Sequence, residues 1–193
     1  MRIVGGRFRG RALAAPASDR IRPTSDRVRE SVFNILVHGM PGFDLEGAKV
    51  LDLFAGTGAL GLEALSRGAG FCLFVEEDAE ARALIRRNVE ALGLTGATKI
   101  FRRNAADLGL AGRNNGFTLA FLDPPYGQAL AEQALASAAQ GGWLAAGATA
   151  VVEERKGCAI ALPGGYEQID RRSWGDTQVL FARFSAGQGL SWR

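Results

Sequence analysis

One strand–turn–helix unit near residue 50 restricts the fold more than any other part of the chain. Residues 50–54 are a short apolar run, and the turn Gly56-x-Gly58-x-x-Gly61 follows it directly, with a predicted helix over 59–67. Glycines in such a turn let the backbone bend tightly and let a ligand approach it. The pattern predicts a nucleotide-binding α/β unit, but it does not distinguish a dinucleotide from another adenosine-containing ligand.

The same alternation of apolar strands and amphipathic helices continues along the chain. The predicted strands are 50–54, 71–75, 98–101, 119–122 and 148–152, and the helices between them are 59–67, 79–92 and 129–139. Two later runs, 167–170 and 178–184, are predicted to pair as a hairpin. This order predicts an α/β fold with a doubly wound, mostly parallel, seven-stranded sheet and an antiparallel terminal hairpin.

A basic segment precedes this unit. Residues 1–15 alternate basic residues with apolar residues or glycine, and we predict a small hairpin with strands at 3–4 and 11–13. A helix capped by Ser25 or Asp26 should follow, with an apolar face of Val28, Val32, Ile35 and Leu36. We therefore expect a basic N-terminal arm or hairpin (1–22), one main domain (23–184) and a flexible tail (185–193).

The bulk composition fits one globular domain. The chain has 193 residues, of which 47% are hydrophobic, and its longest apolar run is far too short to cross a bilayer. We see no secretory signal, and Cys72 and Cys158 lie far apart with no metal-ligand spacing. We expect a monomeric cytoplasmic protein with reduced thiols, no metal and no membrane partner.

The charge is concentrated at one end. Eight arginines lie within the first 30 residues, which carry a net charge of +5, although the whole chain carries only +3. Arginine suits phosphate recognition, and a basic end on a mildly acidic body suggests a polyanionic partner. The clustered Arg7, Arg9 and Arg11 are the candidate contacts to RNA phosphates.

Two carboxylates near the glycine turn bear on the choice of ligand. Glu76 ends the second predicted strand, 20 residues after Gly56, where a carboxylate can accept hydrogen bonds from ribose hydroxyls. Asp52 lies inside the first strand, close to the turn. Its charge would repel a pyrophosphate, but it would attract a sulfonium or the ammonium of a methionine moiety. These residues favour a cationic adenosine ligand over NAD.

A rigid polar loop follows the fourth predicted strand. The sequence Asp123-Pro124-Pro125-Tyr126 should reach the same edge of the sheet as the glycine turn. Two prolines fix the backbone and remove its donors. The Asp123 carboxylate and the Pro124 carbonyl would then accept both hydrogens of an exocyclic amino group, while the base stacks on Tyr126. Such a loop is typical of amino-group methylation, which depends on positioning and electrostatics.

These segments resemble the RsmD family of ribosomal RNA guanine-N2 methyltransferases, within the class I methyltransferases that have a Rossmann-like fold. The resemblance rests on RIVGGRFRGRAL at the start, RPTSDRVRESVFNIL, VLDLFAGTGALGLEALSRGA, VEED, FLDPPY and the later WGDTQV. It implies methyl transfer from S-adenosyl-L-methionine to N2 of a guanine in 16S ribosomal RNA, expected to be nucleotide 966, within the small ribosomal subunit.

The resemblance also implies roles for particular residues. The implied catalytic residues are Asp123, Pro124, Pro125 and Tyr126. The implied cofactor-binding residues are Asp52, Phe54, Ala55, Gly56, Thr57, Gly58, Glu76, Glu77, Asn104, Ala105 and Asp123. Asn104 departs from the family pattern, which usually has an aspartate that accepts a hydrogen bond from the adenine amino group. An asparagine oxygen can accept the same bond.

Three alternative functions would each use part of these features. An enzyme that methylates N6 of adenine in DNA or RNA would use the same loop, but a DNA enzyme usually needs a larger recognition region and base flipping. An NAD-dependent oxidoreductase would need a proton donor, and the only histidine, His38, falls at a predicted helix end. A non-catalytic RNA-binding protein would not need the intact loop at 123–126.

Overall fold

A computed structural model describes residues 1–15, 25–113 and 115–185 of the chain. The helices are α1 (Asp26–Gly39), α2 (Ala59–Ser66), α3 (Ala79–Ala91) and α4 (Leu130–Gln140). The strands are β1 (Lys49–Leu53), β2 (Phe71–Val75), β3 (Thr98–Phe101), β4 (Phe117–Leu122), β5 (Leu144–Arg155), β6 (Tyr166–Trp174) and β7 (Thr177–Phe184).

The strands form one seven-stranded sheet in the order β3-β2-β1-β4-β5-β7-β6. The first five pair in parallel, and β7 pairs antiparallel with both β5 and β6. The order reverses between β1 and β4, which leaves a crevice at the carboxyl ends of these two strands. The prediction of a doubly wound, mostly parallel sheet with a terminal hairpin is confirmed.

Both faces of the sheet are covered because its central strands are apolar on both sides. Val50 of β1 belongs to the core that contains α1, α2 and α3, whereas its neighbour Leu51 faces the core that contains α4. The strand positions were predicted well, but β5 is longer than the predicted 148–152. Its outer end carries charged residues, which the apolar pattern did not include.

The N-terminal segment forms a reduced version of the predicted hairpin. Arg2 and Ala12 make one isolated antiparallel bridge, and a 3₁₀ turn over Gly6–Phe8 replaces a longer ladder. The two halves of the segment share backbone bonds, such as the Ile3 N–H to the Arg11 carbonyl (3.0 Å). The segment also bonds to α2: the Val4 N–H donates to Glu63 (2.8 Å), and the Phe8 N–H donates to Ser66 (3.0 Å). It is therefore packed against the domain along the length of α2.

Buried charge joins this segment to α1 and α2. The side chains of Arg29 and Glu63 are fully buried, with the Arg29 Nε 3.5 Å from the Glu63 carboxylate, and Arg67 donates to the same carboxylate at 2.7 Å. Ser25 caps α1 by accepting the Val28 N–H at 3.2 Å, as predicted. The buried position of Arg29 was missed, because an arginine in an amphipathic helix normally faces solvent.

The proposed division into arm, domain and tail stays a prediction. The boundary at residue 22 and the tail beyond 185 fall outside the described residues. None of the helices in the described ranges is both long and apolar enough to cross a membrane.

Candidate functional site

A cleft of about 720 Å³ opens at the carboxyl ends of the parallel strands. The glycine turn after β1, the turn after β2, Asn104 after β3, the loop after β4 and the end of β5 all contribute to its walls. A cleft of this size is in the range of small-molecule sites. The topology thus brings together segments that are far apart in sequence.

Most of the residues predicted for the site lie in this cleft. Those that line it are Asp52, Phe54, Ala55, Gly56, Thr57, Glu76, Glu77, Asn104, Asp123, Pro124, Pro125 and Tyr126. Gly58 and Ala105 are not part of its lining, and Ala105 is buried. The prediction missed further lining residues, which are Ala59, Leu60, Asp78, Glu80, Ala81, Leu130 and Arg155. Asp78 had been interpreted only as a helix cap.

The glycines set the backbone shape of the turn. Gly56 and Gly58 have φ values of 54° and 78°, a region that favours glycine. A Cβ at Gly61 would lie 2.5 Å from the Cys72 Sγ, so this glycine allows α2 to pack closely on β2. Phe54, at the start of the turn, has a φ of 58°, which is unusual for a bulky residue and is typical of strain at functional sites.

Asp52 is the buried carboxyl group of the site. It is 2% exposed, and its Oδ2 accepts the Gly61 N–H at 2.9 Å, so it satisfies a donor in the first turn of α2 from within β1. Burial raises the pKa of Asp52 from 3.8 to about 8; the Gly61 hydrogen bond opposes the rise, and the nearby Glu76 charge adds to it. A cation beside Asp52 would favour its ionised form.

Glu76 joins the two turns that face the cleft. One carboxylate oxygen accepts the Gly56 N–H and the other accepts the Asp78 N–H, both at 2.8 Å. The residue therefore holds the glycine turn in shape, a role that the sequence did not indicate. A carboxylate oxygen has two acceptor sites, so both oxygens can still accept a hydroxyl group.

Asn104 lies at the cleft wall but is engaged locally. Its Oδ1 accepts the Ala106 N–H at 2.8 Å, and its backbone carbonyl accepts the Asp107 N–H at 3.1 Å. This turn orients the side chain, which is exposed. An incoming amino group would share the Oδ1 with Ala106.

Two glutamates of β5 hold the loop that follows β4. The Tyr126 hydroxyl donates to Glu153 at 2.9 Å, and the Gly127 N–H donates to Glu154 at 3.2 Å. Burial and then the Glu153 charge raise the pKa of Tyr126 above its ordinary value, so it remains a neutral donor. Glu153 and Glu154 are both buried, and the sequence pattern missed them.

The charge of the cleft is strongly one-sided. Six carboxyl groups belong to its lining: Asp52, Glu76, Glu77, Asp78, Glu80 and Asp123. Arg155 is the one cationic residue among the described residues that line it. Such a cleft attracts a cationic ligand and repels a pyrophosphate.

The three candidate RNA-contacting arginines lie away from this cleft. α2 starts at the glycine turn, and residues 5–8 of the arm pack on its opposite end, where the Ser66 hydroxyl donates to the Gly5 carbonyl at 2.6 Å. Arg7, Arg9 and Arg11 are exposed in this part of the arm. Their role in RNA contact stays a prediction, and it concerns a surface away from the loop Asp123-Pro124-Pro125-Tyr126, which we call the DPPY loop.

The chain is similar to proteins already described. Residues 1–183 match the family model for conserved hypothetical protein 95. Ribosomal RNA small subunit methyltransferase D of Escherichia coli K12 is 39% identical over 79% of this chain and 74% of the relative. The Haemophilus influenzae protein of the same name is 34% identical over 91% of this chain and 89% of the relative. The solved structure of Escherichia coli yhhF superposes with a TM-score of 0.82 at 32% identity, covering 97% of this chain and 99% of that chain.

Proposed function

Since the chain belongs to the RsmD family of S-adenosylmethionine-dependent methyltransferases, the family of conserved hypothetical protein 95, we propose that it methylates N2 of guanine 966 in 16S ribosomal RNA. It is a ribosomal RNA methyltransferase of this family. In this proposal it acts as a monomer, in the cytoplasm, on RNA in the small ribosomal subunit.

The observation that carries the proposal is the acidic cleft shared by the glycine turn and the DPPY loop. S-adenosyl-L-methionine, the cofactor of this family, has a positively charged sulfur and an ammonium group. The six carboxyl groups of the lining fit such a ligand and do not fit the two phosphates of NAD. The site residues therefore suit this cofactor on charge as well as on backbone shape.

The bound cofactor supplies a methyl group on a positively charged sulfur. Asp52 and the turn through Gly56 would contact the bound cofactor, and Glu76 would accept hydrogen bonds from its ribose hydroxyls. The fixed Glu76 contacts to Gly56 and Asp78 mean that this end of the site needs little reorganisation on binding.

The DPPY loop would hold the guanine. The Asp123 carboxylate and the Pro124 carbonyl accept the two hydrogens of N2, which favours a pyramidal nitrogen with an available lone pair. N2 would receive the methyl group that the cofactor supplies, and Asp123 or water would take the proton that N2 then loses. Tyr126, tethered to Glu153 at 2.9 Å, keeps a flat surface beside the base.

Labelled cofactor and small subunits that lack the modification test the proposal. The label should appear on N2 of a single guanine when the RNA is mapped. A label on an adenine, or none on RNA, would overturn it. Thermal shift supports the assignment of the cofactor class if S-adenosylhomocysteine stabilises the protein and NADH does not.

Replacement of Asp123 by alanine should abolish methyl transfer, because one of the two acceptors for the amino group is lost. Cofactor binding should be partly retained, since the glycine turn and Glu76 remain. Single-turnover transfer and cofactor titration measure the two effects separately. Substantial residual transfer in Asp123→Ala would contradict the acceptor-pair mechanism.

A further inference from the structure

A second, smaller cavity of about 300 Å³ adjoins the cleft, and we call it the side pocket. It is lined by Tyr126, Arg155, Lys156 and Asp176. Tyr126 and Arg155 line both cavities, so the side pocket begins where the DPPY loop ends. A group that stacks on Tyr126 can therefore reach into both.

The charged residues of the side pocket sit on a fixed backbone. Arg155 pairs with Thr177 across β5 and β7, and the Lys156 N–H donates to the Asp176 carbonyl at 2.8 Å. The buried Gln178 donates to the Arg155 carbonyl at 2.9 Å. This pairing fixes the backbone positions that carry the two cations and the carboxylate, and all three residues are exposed at the mouth of the DPPY loop.

The mixture of charges indicates what the side pocket would bind. Arg155 and Lys156 are donors, whereas the Asp176 carboxylate is an acceptor. A phosphate would be attracted by the cations but repelled by Asp176. A neutral ring edge that carries one acceptor and one donor side by side matches all three groups.

The O6–N1 edge of guanine has this arrangement. O6 accepts a hydrogen bond and N1–H donates one, and N2 follows on the same edge. Adenine carries the opposite pattern, an amino donor at C6 and an acceptor at N1. With N2 at Asp123 in the cleft, the remainder of the edge passes Tyr126 towards the side pocket.

We propose that the side pocket selects the target base by reading the O6–N1 edge of guanine. Arg155 or Lys156 donates to O6, and Asp176 accepts from N1–H. This inference rests on the proposed guanine-N2 activity, and it assigns the choice of guanine to residues outside the DPPY loop. A base with a donor at C6 and an acceptor at N1, such as adenine, would leave Asp176 facing an acceptor and the cations facing a donor. The site would therefore bind such a base much more weakly than guanine.

The test compares guanine with 2,6-diaminopurine, which keeps the N2 amino group but reverses the O6–N1 edge. The modified guanine is first mapped in small subunits, and diaminopurine is then placed at that nucleotide by splinted ligation of the RNA. Wild-type protein should prefer guanine by at least about tenfold in kcat/KM, a difference that one mispaired edge can produce.

Asp176→Asn and the double variant Arg155→Met with Lys156→Met should each lower this preference by about tenfold, since each removes one side of the readout. Cofactor affinity and melting temperature should remain close to wild type in Asp176→Asn. Arg172→Met is the matched control, because Arg172 is exposed, bonds to Asp170 at 2.9 Å and does not line the pocket. It should keep the full preference for guanine.

The outcomes separate the inference from the proposed function. If wild type methylates guanine and the pocket variants keep its full preference over diaminopurine, the inference is overturned and the function stands. If the Met variants lose RNA binding with a flatter salt dependence but keep base preference, the pocket holds a phosphate and the inference is again overturned. If no guanine is methylated, the proposed function itself fails.

Discussion

Replacement of the buried Asp52 by asparagine should stabilise the fold while weakening the site. The carboxyl group is 2% exposed, and burial is the main reason that its pKa rises from 3.8 to about 8. Asparagine keeps an oxygen that can accept the Gly61 N–H, a bond of 2.9 Å in the wild type. The substitution therefore removes the ionisable group and preserves the cap on α2.

The stability gain depends on pH in a definite direction. The pKa of Asp52 in the folded state lies above its value in the unfolded chain. The contribution of Asp52 to the free energy of unfolding is therefore most favourable below pH 3.8 and is lost as the pH rises through about 8. At pH 7, protonation of the group in the folded state costs at most about 4 kcal/mol relative to the ionised unfolded chain. The asparagine amide also needs partners, so we expect a net gain of about 1 to 4 kcal/mol.

Denaturant unfolding of both proteins at several pH values measures this gain. The difference in free energy of unfolding between Asp52→Asn and wild type should grow from pH 4 to pH 8, by at most about 1.4 kcal/mol per pH unit for one proton. A difference that is constant over this range would show that Asp52 titrates normally and would refute the argument from burial.

The same titration should appear in cofactor binding. A cation near Asp52 lowers its pKa, so binding releases a proton and wild-type affinity should rise with pH until about 8. The ligand amine also titrates, and Asp52→Asn controls for it, because only the Asp52 component disappears in the variant. Calorimetry with S-adenosylhomocysteine, which has the ammonium but no sulfonium, identifies which cation Asp52 contacts. Equal pH profiles in the two proteins would exclude Asp52 as a cation partner.

Three further predictions concern the arm and the glycine turn. Replacement of Arg7, Arg9 and Arg11 together by alanine should reduce the slope of log K for RNA binding against log salt concentration by about two and leave cofactor affinity unchanged. Lysine at the same three positions should keep the slope. An unaltered slope in the alanine variant would show that these arginines do not contact RNA phosphates. Gly61→Ala should cost about 1 to 3 kcal/mol by urea unfolding, because its Cβ meets the Cys72 Sγ at 2.5 Å; an unchanged midpoint would count against this. The Asn88 side chain accepts the Ala14 N–H at 2.7 Å and donates to the Thr57 carbonyl at 3.1 Å. Asn88→Ala removes both bonds, so it should lower the free energy of unfolding by about 1 to 3 kcal/mol and weaken cofactor binding, and Asn88→Asp should be intermediate in stability. Full cofactor affinity in Asn88→Ala would show that the arm does not support the turn.

The local parts of the site could be predicted from sequence. The turn at Gly56 and the loop at Asp123 each follow an apolar strand directly, and the carboxyl ends of parallel strands meet at one edge of a sheet. The periodicity therefore predicts that both lie at the cleft. Most of the strands were predictable for the same reason, since they are mainly apolar runs. The exception is β6 (Tyr166–Trp174), which is largely polar and exposed and was predicted only over 167–170.

The supporting contacts could not be predicted, because they join residues far apart in sequence. Glu153 contacts Tyr126 across 27 positions, and a pair of glutamates at the end of a strand usually indicates a solvated end. The contacts between the arm and the domain could not be predicted for the same reason. The Val4 N–H bonds to Glu63, 59 positions away, and the local pattern that predicted the hairpin does not indicate this partner.

Charge, more than backbone shape, decides which ligand the glycine turn accepts. The spacing Gly56-x-Gly58-x-x-Gly61 matches the dinucleotide pattern, yet the described residues that line the cleft include six carboxyl groups and one guanidinium. A pyrophosphate placed there would face these carboxylates, whereas a sulfonium and a neutral base would not be repelled. In the proposed function the same field would repel an RNA phosphate from the cleft, whereas a neutral target base would not be repelled. In this proposal the cations that hold the RNA backbone lie outside the cleft, as the exposed arginines of the arm do.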